Sequence, residues 1–127
     1  MSIDKDIPIL IVDDYKTTLR ILRTLLKQLG FENVTEAVST KDALNLLHKE
    51  PYALILSDWY MEPETGYDLL CTVRENPKLS TIPFVMIVKE SEPETIEKAI
   101  SAGVNAHITK PFKAIDLKEV LALSLHG

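Results

Sequence analysis

The sequence predicts an α/β fold, a parallel sheet with helices on both faces, and three observations carry that prediction. Five short apolar runs are spaced along the 127 residues. Helical periodicity fills the intervals between them. The connections are short, so the order reads as strand then helix, five times over. Such alternation requires a parallel sheet with right-handed crossovers, and helices packed on each side of it.

The predicted strands are Pro8–Val12, Val34–Ala37, Ala53–Leu56, Phe84–Val88 and Val104–Ile108. Four are nearly continuous apolar runs or are bounded by turn residues, as strands buried on both faces are. The second is half polar, which suits an edge. Leu19, Leu22, Leu26 and Leu29 recur at helical spacing before Gly30 stops the first helix. Ala43, Leu44 and Leu47 mark the second. Tyr67, Leu70, Val73 and Arg74 fall in the third, closed by Asn76-Pro77. Ser91-Glu92-Pro93-Glu94 reads as a capping box opening the fourth, with Ile96, Ala99 and Ile100 inward, and Gly103 ends it. Ile115, Leu117, Val120, Leu121 and Leu125 make the fifth.

Composition narrows the function classes. The length suits one domain spanning residues 1–127, with a core from about 7 to 125 and no output domain. A net charge of −5 argues against nucleic acid or an anionic membrane as direct partner. The single cysteine, Cys71, forbids an internal disulfide and reads as a small core residue. The start of the chain lacks the basic and apolar regions of a signal peptide, and no apolar run approaches the ~18 residues of a membrane span. The expectation is a cytoplasmic monomer.

Ligands of open parallel sheets bind beyond the carboxyl ends of the strands, where strand order reverses. Asp13 and Asp14 follow the first predicted strand, Asp58 the third, Lys89 and Glu90 the fourth, Thr109 and Lys110 the fifth. The topology brings these distant residues to one edge. Three carboxylates held close repel one another unless a cation sits among them. Oxygen ligands at an open rim favour Mg²⁺ over zinc, and His48, His107 and His126 are too far apart in sequence to suggest a metal pair. A carboxylate beside such a cation and a lysine is a nucleophile for phosphoryl transfer. An Asp-Asp before a helix also serves as a simple N-cap, but capping does not account for Asp58 and Lys110 at corresponding strand ends.

Together, Ile9-Leu10-Ile11-Val12-Asp13-Asp14, Ser57-Asp58-Trp59 with Met61 and Gly66, and Ala102-Gly103 leading to Lys110-Pro111-Phe112 resemble the receiver domain of bacterial two-component response regulators. The single-domain, CheY-like members are the nearest in organisation. The resemblance implies a flavodoxin-like, doubly wound (βα)5 fold with a five-stranded sheet in the order 2-1-3-4-5. It implies that Asp58 is the phospho-acceptor and that Asp13, Asp14, Asp58 and the backbone carbonyl of Tyr60 surround Mg²⁺. Lys110 would pair with the phosphoryl oxygens, and the Lys110-Pro111 bond would be cis. The donor would be a histidine kinase or a histidine phosphotransfer protein. The output protein, of unknown identity, would read the face made by helix 4, strand 5 and helix 5. Catalysis would be limited to self-phosphorylation and slow self-dephosphorylation, so the chain is not expected to be a turnover enzyme.

Four positions depart from the family pattern. Val88 stands where a Thr or Ser hydroxyl is usual, and His107 where the switch aromatic is usual. Lys89 replaces a small residue; it either reaches the phosphoryl oxygens or turns to solvent and alters access. Glu62 precedes Pro63, which displaces the usual proline. Tyr60 and Glu90 occupy the positions that tune phosphoryl lifetime, and a bulky Tyr60 is expected to slow hydrolysis. Val88 and His107 also support a second expectation, an atypical receiver that binds protein unphosphorylated, is weakly coupled, or acts as a phosphate sink. An aspartate-nucleophile phosphatase would carry Asp-x-Asp after its first strand, and this chain has none. A flavin phosphate would be repelled by the acidic loop. Lys16, Arg20, Arg23 and Lys27 line one stripe of helix 1, a candidate docking face for an acidic phosphodonor.

Overall fold

The computed structural model describes residues 3–89 and 92–126. Ten elements alternate: β1 (Ile9–Val12), α1 (Lys16–Gln28), β2 (Val34–Ala37), α2 (Thr40–Lys49), β3 (Leu54–Asp58), α3 (Gly66–Glu75), β4 (Phe84–Lys89), α4 (Pro93–Ser101), β5 (Ala106–Lys110) and α5 (Ala114–His126). The strands form one parallel sheet in the order β2-β1-β3-β4-β5. The expected fold class and order are both present.

Strand alternation divides the core into two layers. Ile9, Ile11, Leu54, Leu56, Val85 and Ile87 face one way and pack against Leu19, Leu22 and Leu26 of α1 and Leu117 and Leu121 of α5. Leu10, Val12, Ile55, Met86 and Val88 face the other way, against Ala43 and Leu47 of α2, Leu69, Leu70 and Val73 of α3, and Ala99 of α4. Nearly all of these side chains are fully buried. Burial on both faces is why β1, β3 and β4 read as continuous apolar runs. Chain order reverses between β1 and β3, and that crevice opens at their carboxyl ends.

Several boundaries differ from expectation. β3, β4 and β5 run on to Asp58, Lys89 and Lys110, so these residues end strands rather than follow them. Polar strand ends carry no apolar signature, which is why the runs look shorter in the sequence. β5 begins at Ala106, not Val104. Ser91 and Glu90 lie outside the described residues; α4 has Glu92 as its N-cap, with no side-chain capping bond. Capping by side chains instead opens α2, where Ser39 accepts from the Asp42 N–H, and α3, where Thr65 and Asp68 cap each other. Ile100, expected inward, is 60% exposed. The small Ala99 lets α4 approach the sheet and sets its phase, which carries Ile100 to the outside. Ile115 is likewise 55% exposed on α5.

Arg74 joins the amino-terminal ends of β4 and β5. Its guanidinium donates to the carbonyls of Gly103 (2.9 Å), Ser80 (3.1 Å) and Ile82 (2.8 Å), and to Asn105 Oδ1 (2.8 Å). Asn105 Oδ1 also accepts the Phe84 N–H. Charge-assisted bonds of this kind leave several acceptors unpaired when the donor is removed. Arg74→Ala is therefore expected to cost about 2–4 kcal/mol. Urea unfolding reads the change, and an unaltered midpoint would contradict it.

Candidate functional site

The carboxyl edge of the sheet gathers the acidic residues. Asp13 follows β1 directly, and its own N–H continues the ladder to the Ala37 carbonyl (3.1 Å). Asp58 is the last residue of β3. One carboxylate oxygen from each of Asp13, Asp14 and Asp58 lies within 4.8 Å of the others. Asp13 and Asp58 are buried, at 2% and 3% exposure, while Asp14 faces solvent. Neither Asp13 nor Asp14 caps α1. The N-cap is Tyr15, with no side-chain capping bond, and Asp13 Oδ1 accepts the Tyr15 N–H at 2.9 Å.

Burial and crowding shape the electrostatics. Burial pushes the Asp13 carboxyl up to about 6; the Tyr15 N–H opposes this, and Asp58 adds to it. Burial also raises Asp58, against the pull of the neighbouring Lys110. The Lys110 ammonium stands 3.1 Å from Asp58 Oδ1. Lys110 is the close partner of that oxygen, while Asp13 Oδ2 has no hydrogen-bond partner among the described residues. Two buried carboxylates in one cluster, with a single lysine beside them, are costly without a further cation. An oxygen-only donor set of this kind fits a hard divalent cation.

A cavity of about 410 Å³ opens over these groups, lined by Asp13, Asp14, Tyr15, Asp58, Tyr60, Lys89 and Lys110. The loop after β3 is drawn tight by Gly66, whose N–H donates to the Trp59 carbonyl at 3.0 Å. Both Lys110–Pro111 and Glu62–Pro63 are cis peptide bonds.

A family model described as the response regulator receiver domain matches residues 9–122. The chain is a response regulator receiver domain. This receiver is 43% identical to chemotaxis protein CheY-3 of Vibrio cholerae, over 94% of this chain and 92% of that protein. It is also 43% identical to chemotaxis protein CheY of Pseudomonas aeruginosa, over 87% and 90% of the two chains. Among solved structures, the chemotaxis response regulator CheY4 of Vibrio cholerae superposes with a TM-score of 0.83 at 27% identity, covering 91% of this chain and 96% of that one. The receiver is thus a response regulator component of two-component signalling.

Of the positions where this receiver departs from the family pattern, Val88 is fully buried among the α2–α4 core residues and offers no hydroxyl to the site. His107 is half-buried on β5, in register with Met86, and strand alternation turns it to the side opposite Ile108. Lys89 is exposed, and its ammonium lies 4.4 Å from the centroid of the Tyr60 ring. The Tyr60 hydroxyl accepts the Lys89 N–H and donates to Glu92, each at 2.9 Å. Glu90 is outside the described residues. Glu92 and Tyr15 are site neighbours that sequence reasoning does not single out. Glu92 acts across 32 residues and Tyr15 through its backbone N–H, and neither leaves a mark in local pattern. The basic stripe on α1 is largely exposed, but Arg23 is committed to β2, donating to Glu36 (2.8 Å) and to the Val34 carbonyl (3.0 Å). No helix among the described residues is long and apolar enough to cross a membrane.

Proposed function

We propose that this receiver accepts a phosphoryl group on Asp58 from a phosphohistidine of a histidine kinase or phosphotransfer protein, with Mg²⁺ as cofactor. The observation that carries the reading is the Asp58 oxygen. It is buried, sits 3.1 Å from Lys110 and belongs to a residue that shares an acidic cluster with Asp13 and Asp14. A poorly solvated carboxylate is a better nucleophile than one in water.

Asp13, Asp14, Asp58 and the Tyr60 carbonyl would hold the Mg²⁺, which when bound offsets negative charge on the entering group. An Asp58 oxygen forms the new O–P bond as the donor's P–N bond breaks. The electron pair leaves on the imidazole nitrogen, which takes up a proton from water. Lys110 holds a phosphoryl oxygen by charge and is already in place, so its contribution costs little reorganisation. Tyr60 covers one side of the cavity and keeps hydrolytic water from the acyl phosphate, so self-dephosphorylation is slow and the chain is not a turnover enzyme. Output runs through the face of α4, β5 and α5. The exposed Ile100 and Ile115, on the helices that flank the edge strand β5, support contact there.

Borohydride reduces an acyl phosphate of aspartate to homoserine, which marks the modified position. After incubation with acetyl phosphate and Mg²⁺, peptide mass mapping is expected to find homoserine at position 58. Conversion at 13 or 14 instead would refute the assignment.

A further inference from the structure

β4 and β5 end side by side on two lysines. Lys89 is the register partner of Lys110, so the two side chains leave the sheet on the same face. Both line the cavity over Asp58. Only Lys110 reaches the acceptor, at 3.1 Å. The Lys89 ammonium rests on the Tyr60 ring, 4.4 Å from its centroid, and among the described residues it makes no ion pair. Val88, which precedes it, is apolar and buried and offers no side-chain donor.

Charge at the site leaves a place for this lysine. Asp13 and Asp14 each carry one negative charge, and a phosphoryl dianion on Asp58 adds two. A divalent cation and Lys110 together supply three positive charges, so one negative charge is left over. Among the groups that line the cavity, Lys89 closes the count. A cation on the face of an exposed ring is held more weakly than one hydrogen-bonded to a phosphoryl oxygen, so exchange of the first contact for the second is favourable.

We propose that Lys89 is a second cationic ligand of the phosphoryl group, leaving the Tyr60 ring for the phosphoryl oxygens when Asp58 is modified. This rests on the phospho-acceptor reading above and names a residue that binds the group alongside Lys110. The Tyr60 ring is the resting place of the ammonium, and the backbone N–H of Lys89 stays on the Tyr60 hydroxyl.

Trifluoroberyllate, which mimics a phosphoryl group on a carboxylate, provides the test. The full chain is titrated with it in the presence of Mg²⁺, reading the fluorescence of Trp59, the one tryptophan, next to Asp58. Mg²⁺ alone is titrated in parallel. Lys89→Ala is expected to weaken trifluoroberyllate binding roughly tenfold, as loss of one charge-assisted hydrogen bond does, without weakening Mg²⁺ binding. Lys89→Arg keeps the affinity and Lys89→Glu lowers it further. Unchanged affinity in Lys89→Ala would overturn the proposal, as would a parallel fall in Mg²⁺ binding, which would mark a structural role. Failure of the unsubstituted chain to bind trifluoroberyllate would instead overturn the phospho-acceptor reading, and this proposal with it.

Discussion

Asp13→Asn is expected to make the metal-free protein more stable, by about 2 kcal/mol near neutral pH, while weakening divalent-cation binding roughly tenfold or more. Asp13 is buried, and that burial is the main cause of its rise from 3.8 to about 6. A raised carboxyl favours the protonated folded state. Its contribution to stability is complete below about pH 4 and is lost as pH rises through about 6. The metal-free protein therefore loses stability between those limits, and an amide at this position, which does not titrate, takes no part in that loss. The substitution keeps an oxygen acceptor for the Tyr15 N–H, so the local turn survives. Urea unfolding in chelator at about pH 5 and about pH 7.5 measures the difference, since the two values straddle the folded-state titration. Added Mg²⁺ should then stabilise the parent protein by mass action and leave the variant little changed. A variant less stable than its parent in chelator, or equally responsive to Mg²⁺, would contradict the picture of a repulsive acidic cluster awaiting a cation.

Gly66→Ala is expected to cost on the order of 3 kcal/mol and to weaken the site as well. Gly66 begins α3, yet its backbone lies against the end of β3. A Cβ there would fall inside contact distance of the Asp58 carbonyl oxygen, 2.9 Å from the carbonyl carbon and 3.0 Å from the Trp59 Cα. All three are backbone atoms, so no side chain can turn aside. The added methyl has to push α3 away from the strand or displace the peptide that carries Asp58. Either movement breaks the Gly66 N–H bond to the Trp59 carbonyl. A lowered urea midpoint together with weaker Mg²⁺ binding is the predicted pair of effects; an unchanged midpoint would show that the loop has slack that its contacts do not reveal.

What can be read from the residues alone follows physical visibility. Ile9–Val12 and Phe84–Val88 are buried on both faces, and continuous apolar runs of that length between turn residues point to central parallel strands. Val34–Ala37 is half polar because it is an edge strand. The order of the strands is a different matter. An apolar run does not name its neighbour, so 2-1-3-4-5 comes from resemblance rather than from pattern. Asp13, Asp14, Asp58 and Lys110 stand out because topology sends the ends of β1, β3 and β5 to one edge, and because their chemistry is complementary. Arg74 does not stand out, since its acceptors are mostly backbone carbonyls and carbonyls are the same at every residue. Tyr60 is identifiable in the sequence, but its bridge to Glu92 and Lys89 spans about thirty residues and has no local sign. The caps Ser39–Asp42 and Thr65–Asp68 lie at capping spacing and are legible in principle. Ser91 has the same spacing signature and lies outside the described residues; Glu92 and Pro93 open the helix that follows.

Intact-mass spectrometry after incubation with acetyl phosphate, with and without Mg²⁺ and beside Asp58→Asn, asks whether Asp58 takes up the phosphoryl group. The expected result is a gain of one phosphoryl group that requires Mg²⁺ and is absent from Asp58→Asn. A gain that persists in Asp58→Asn, or that is indifferent to Mg²⁺, would contradict it.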